Sequence, residues 1–122
     1  MGELAPATSR SESVTPSIDL FETPEAYRIE MDLPGVREED VTVSLEGGLL
    51  DVRAERAPVE RAEGEEARYV ERRHERYERR LRMPGKVDEE KIEARLSGGV
   101  LTIVLPKAPE TRARQIEVKG GD

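Results

Sequence analysis

The sequence predicts an all-β sandwich with flexible tails, and three observations carry the prediction. Short runs of alternating apolar and polar residues fill the middle of the chain, as half-buried strands require. One pattern of proline, paired glycines and apolar positions occurs twice, about fifty residues apart. Both ends are polar and lack such runs, so folding is expected to be confined to the interior.

Residues 1–15 are rich in Ala, Ser, Thr, Glu and Pro, with Leu4 and Val14 as isolated apolar residues, and this arm is expected to be disordered. Strand-like text begins at Ser17 to Phe21. It resumes at Ala26 to Leu33, where Tyr27, Ile29, Met31 and Leu33 alternate with polar neighbours. Pro34-Gly35 breaks that run, and Arg37 to Asp40 reads as a polar turn. Val41 to Leu45, Gly47-Gly48 and Leu49 to Ala54 then read as a hairpin.

The second copy runs through Met83-Pro84-Gly85, Asp88-Glu89-Glu90, Ile92 to Leu96, Gly98-Gly99 and Val100 to Leu105. Two copies are too few for a solenoid, so the repeat is read as two similar hairpins on facing sheets. Val100 to Leu105 is apolar on both faces, which predicts a strand buried from both sides and ended by Pro106. The expected organisation is an arm at 1–15, a domain at 16–106 and an extension at 107–122.

Between the repeats, Ala57 to Arg76 is dense in Glu and Arg, and Glu75/Arg79 and Glu78/Arg82 have helical ion-pair spacing. Pattern alone favours a helix there. Tyr77, Arg79, Leu81 and Met83 also fit a strand entering Pro84, so local evidence leaves both open.

Composition excludes several functions. With a net charge of -7, the chain lacks the basic surface that phosphate binding needs, so nucleic acid is not an expected partner. Cysteine is absent, which removes a thiolate nucleophile and suits a reducing cytoplasm. Met1 to Ala7 resembles no secretory signal, and no apolar stretch reaches membrane-spanning length. Asn is absent and Gln115 is the only Gln, a usage that heat-adapted proteins and GC-rich genomes share.

Individual residues point the same way. His74, the only histidine, stands near Glu71, Glu75 and Glu78, and a solvated loop position explains it better than a metal site. No catalytic triad and no phosphate-binding loop can be assembled, so neither an enzyme nor a cofactor is expected. The basic run Arg72, Arg73, Arg76, Arg79, Arg80 and Arg82 is interleaved with Glu71, Glu75 and Glu78, which fits ion pairing or solvation. Glu38-Glu39 and Glu89-Glu90 read as solvated turn residues.

Ala94-Arg95-Leu96-Ser97-Gly98-Gly99-Val100-Leu101 fits the A-x-x-x-n-G-V-L signature of the small heat-shock protein, or α-crystallin domain, family through Ala94, Gly99, Val100 and Leu101. The resemblance extends over Pro16 to Val118. It takes in Asp19 and Glu22, Leu33-Pro34-Gly35, Glu71-Arg72, Tyr77 to Pro84, Leu105-Pro106-Lys107, and Ile116-Glu117-Val118, which is similar to the family's I-x-I tail motif. The chain differs in carrying Glu75-Arg76 where a Gly usually precedes the aromatic residue, and in an arm with few apolar residues.

The resemblance implies an immunoglobulin-like sandwich and a homodimer in which a strand from the Ala57 to Arg76 loop crosses to the partner's sheet, which would displace the helix reading. It assigns Tyr69, Val70, Glu71, Arg72 and Arg79 to the dimer interface, and implies larger oligomers held by docking tails. Alternate residues of a strand lie about 6.6 Å apart on one face, so Ile116 and Val118 can fill adjacent pockets. The receiving groove is expected between Val41, Val43 and Leu45 on one side and Ile92, Ala94 and Leu96 on the other. The implied function is an ATP-independent holdase for unfolding client proteins. The competing reading is a sandwich adaptor that binds one folded partner.

Overall fold

The computed structural model describes residues 13–72, 74–109 and 116–121. Along the chain the strands are β1 (Ser13–Val14), β2 (Ile18–Glu22), β3 (Ala26–Asp32), β4 (Val41–Glu46), β5 (Leu49–Arg56), β6 (Glu75–Arg82), β7 (Glu93–Ser97) and β8 (Val100–Pro106). Among the described residues they form two four-stranded sheets, ordered β1-β6-β5-β4 and β2-β3-β8-β7. Pairing is antiparallel except for β1, whose Ser13 and Val14 lie parallel to Arg76 and Tyr77.

The repeat in the sequence encodes a sheet switch followed by a hairpin. Leu33-Pro34-Gly35 carries the chain from β3 across to β4 and β5, and Met83-Pro84-Gly85 carries it from β6 back to β7 and β8. Each crossover is tied to the other copy's hairpin: the Leu33 N–H donates to the Gly99 carbonyl at 2.8 Å, and the Met83 N–H to the Gly48 carbonyl at 2.9 Å. Both hairpins close through two glycines with positive φ, at 57° and 78° for Gly47-Gly48 and 59° and 79° for Gly98-Gly99. That conformation matches the twist of the flanking strands and disfavours any residue with a Cβ.

The core forms where the inward rows meet. Tyr27, Ile29, Met31, Leu101, Ile103 and Leu105 point in from one sheet, and Leu50, Val52, Ala54 and Tyr77 from the other. Ile29, Leu33, Ile103 and Leu105 are fully buried. Burial first, and then a hydrogen bond donated to Glu75 Oε2 at 2.8 Å, raise the Tyr77 hydroxyl's pKa above the ordinary phenol range.

Four expectations need adjustment. No helix forms among the described residues of 57–76; Glu75 begins β6, where residues four apart lie too far apart to pair. Glu75 instead meets Arg56 across the strands at 3.4 Å, and Glu78 meets Arg80 at 3.5 Å. The second concerns β8, which is buried on one face only. Val100, Thr102 and Val104 face outward and are half-covered by neighbours such as Arg28, Glu30 and Arg95.

The stretch 1–15 ends in a strand, since Ser13 and Val14 pair with β6; residues 1–12 lie outside the described residues. Finally, packing continues two residues past Pro106. Lys107 and Ala108 are buried: the Lys107 ammonium stands over the Tyr27 ring, 5.1 Å from its centroid, and reaches Glu22 Oε2 at 2.6 Å.

Candidate functional site

β4 and β7 are the edge strands of their respective sheets, and they lie on the same side of the sandwich. Neither has a neighbour on its outer edge among the described residues, so the two sheets part there into a groove of about 340 Å³. Strand alternation turns Val41 and Val43 inward from β4, and Ala94 and Leu96 inward from β7, with buried Leu101 as the floor. Val41, Val43 and Leu96 are half-buried, and Ala94 is exposed because its methyl group leaves the wall low. Glu38, in the single 3-10 turn ahead of β4, and Arg95 form the rim.

The structure thus brings together four of the six expected groove residues: Val41, Val43, Ala94 and Leu96. Leu45 and Ile92 lie outside the groove lining and pack against the core. Sequence reasoning missed Leu101, Glu38 and Arg95 as parts of this site. Leu101 was legible as an inward residue of its strand, and Arg95 as the residue flanked by the two wall positions, but Glu38 gave no signal beyond its turn.

The signature residues acquire physical roles here. Ala94 keeps the wall low, Gly98 and Gly99 turn the chain, and Leu101 floors the groove. A Cβ on Gly99 would stand 3.7 Å from the Pro34 Cα, so space is adequate and the φ of +79° is what demands glycine.

The remaining expected residues lie elsewhere. Ile116 and Val118 are 83% and 89% exposed, so within one chain the tail does not occupy the groove. Tyr69, Val70, Glu71 and Arg72 are exposed in the segment between β5 and β6, beside Val59 in an open cleft of about 580 Å³. Arg79 is separate from them: half-buried on β6, it donates to the Pro16 carbonyl at 3.3 Å and so braces the link between β1 and β2.

Within the basic run, Arg76 pairs with Glu55 and Arg80 with Asp51, both acids of β5, and Arg53 of β5 also meets Asp51. Arg73 lies outside the described residues. His74 stands exposed, 3.5 Å from Glu55.

Residues 19–119 match the Hsp20/alpha crystallin family. The chain belongs to that family. Among its relatives, the 17.6 kDa class I heat shock protein 3 of Arabidopsis thaliana is 34% identical over 119 residues, covering 95% of this chain and 76% of that protein. Heat shock protein 16.0 of Schizosaccharomyces pombe superposes with a TM-score of 0.70 at 36% identity, over 88% of this chain and 100% of that one. A small heat-shock protein of Xylella fastidiosa, described as having a distinct high order structure, gives 0.67 at 32% identity, over 89% and 100%. Hsp20/alpha crystallin membership supports a chaperone role and not an enzymatic one. The two-sheet sandwich is the α-crystallin domain of these neighbours.

Proposed function

We propose that this chain is an ATP-independent holdase whose groove between β4 and β7 takes alternate apolar side chains from extended segments of unfolding proteins. The observation that carries the reading is a groove walled by Val41, Val43, Ala94 and Leu96 and left open between two strand edges that have no neighbour among the described residues, with the chain's own I-x-V tail in solvent. An arriving strand can bond to an edge backbone while two of its side chains fill the wall positions. Each buried aliphatic side chain contributes about 1.5–3 kcal/mol, against which the strand must be ordered, so single contacts are weak and reversible.

Ile116 and Val118 of a neighbouring copy meet the same requirement, which makes the tail both a cover for the groove and a link in a larger assembly. Exposed edges of this kind need such a cover to avoid indiscriminate aggregation. We assign the exposed segment carrying Tyr69 to Arg72 to the homodimer contact. Arg79, already bonded inside its own chain, would act there only after release from Pro16. Because binding to unfolded chains shifts an equilibrium, no nucleotide enters the cycle. The proposed setting is the cytoplasm.

The test is light scattering from a heat-labile enzyme warmed without ATP. Comparable molar amounts of this chain are expected to suppress most of the aggregation. No suppression, together with recovery of one stoichiometric folded partner by pull-down, would favour the adaptor reading.

A further inference from the structure

The apolar walls say what fills the groove, and the rim says which segment is preferred. Glu38 and Arg95 both line it, and among the described residues neither has an ion-pair partner. They are not equivalent in position. Arg95 stands between the wall residues Ala94 and Leu96, whereas Glu38 belongs to the turn ahead of Val41, at the groove's end.

Leu96 and Val41 lie toward that same end. Leu96 pairs with Leu101 next to the Gly98-Gly99 turn, and Gly99 accepts from Leu33, from which the chain crosses to Glu38 and Val41. Along β7 the site therefore presents, in order, an apolar subsite at Ala94 and Val43, the Arg95 cation at the groove's edge on the outer face of the sheet beside Thr102, an apolar subsite at Leu96 and Val41, and an anion at Glu38. Along the chain's tail the order is Ile116, Glu117, Val118 and Lys119: apolar, anion, apolar, cation. The two series complement one another at every position when the tail runs in the direction of β7. In the opposite direction Lys119 is carried away from Glu38.

We infer that the rim is a charge code: Arg95 selects an acidic residue between two apolar anchors, Glu38 sets the direction, and the favoured occupant is the Ile116 to Lys119 segment of a second copy. The inference rests on the docking proposed above and adds to it a preference and a polarity. The volume of about 340 Å³ is sufficient for two aliphatic side chains, and an arginine on an edge strand is long enough to reach the outward-facing residue between them.

The experiment is fluorescence anisotropy with labelled peptides spanning Arg114 to Gly121, titrated with the full chain carrying Ile116→Gly and Val118→Gly so that its own tail does not compete. The original peptide is expected to bind about tenfold more tightly than a Glu117→Lys peptide in low salt, as one rim pair changes from attraction to repulsion. The gap is expected to narrow in 1 M salt. Adding Arg95→Glu to the chain is expected to reverse the preference. If both peptides bind within twofold of each other, or Arg95→Glu leaves the order unchanged, the charge code is wrong while docking stands. If neither peptide binds, tail docking itself fails, and the code with it.

Discussion

Ile103→Ala is expected to lower the unfolding free energy by about 2–5 kcal/mol. Ile103 is fully buried at the centre of β8, with Ile29 of β3 on one side and Ala94 of β7 on the other. Truncation removes three carbons from a site that close-packed neighbours cannot fully collapse into. A small domain has only about 5–15 kcal/mol of stability in total, so the loss is a large fraction of it. Urea unfolding followed by circular dichroism would show a lower midpoint with an unchanged slope. A loss below about 1 kcal/mol would mean that β8 is not the spine of the core.

Ala94→Glu is expected to have the opposite profile, sparing the fold and disabling the groove. Ala94 is exposed in the single chain, so the sandwich should keep its stability to within about 0.5 kcal/mol. When a client strand or tail closes over the groove, the new carboxylate must be desolvated against Val43 and Leu96, on the face of β7 opposite to the Arg95 side chain. The amount of chain needed to halve client aggregation should rise about tenfold or more. Ala94→Ser, which keeps the wall low and uncharged, should behave nearly as the original. Equal loss in both variants, or none in either, would separate position 94 from client binding.

Much of the fold was legible because glycine and proline constrain the backbone locally. Pro34-Gly35, Gly47-Gly48, Pro84-Gly85 and Gly98-Gly99 mark sheet switches and hairpin turns, and the apolar alternation between them fixes which side chains face inward. The segment from Ala57 to Arg76 misled because Glu and Arg four apart suit a helix, while the pairing that places Glu75–Arg82 in a strand comes from β5, distant in sequence. β1 was missed because two residues carry no period, and it is held by the β6 edge and by Arg79. Lys107 falls in the expected extension because a charged residue gives no sign of burial, whereas its ammonium is held over the Tyr27 ring and against Glu22.

The site was half legible. The resemblance placed a groove between these two strands and alternation set Val41, Val43, Ala94 and Leu96 facing into it, yet neither says where along the strands the sheets part. The crossover from Leu33 to Val41 opens one end, while Leu45 and Ile92 close over the core at the other. That asymmetry brings Glu38 and Arg95 to the rim, and it arises from the packing of elements distant in sequence.

Hydrogen–deuterium exchange of the chain, alone and loaded with a heat-unfolding client, tests the central claim most directly. Client binding through the groove predicts slowed exchange at Val41–Glu46 and Glu93–Ser97, whose outer edges have no neighbouring strand within the described residues. Protection confined to the segment around Tyr69 and Val70, or to β2, with β4 and β7 exchanging as before, would contradict it.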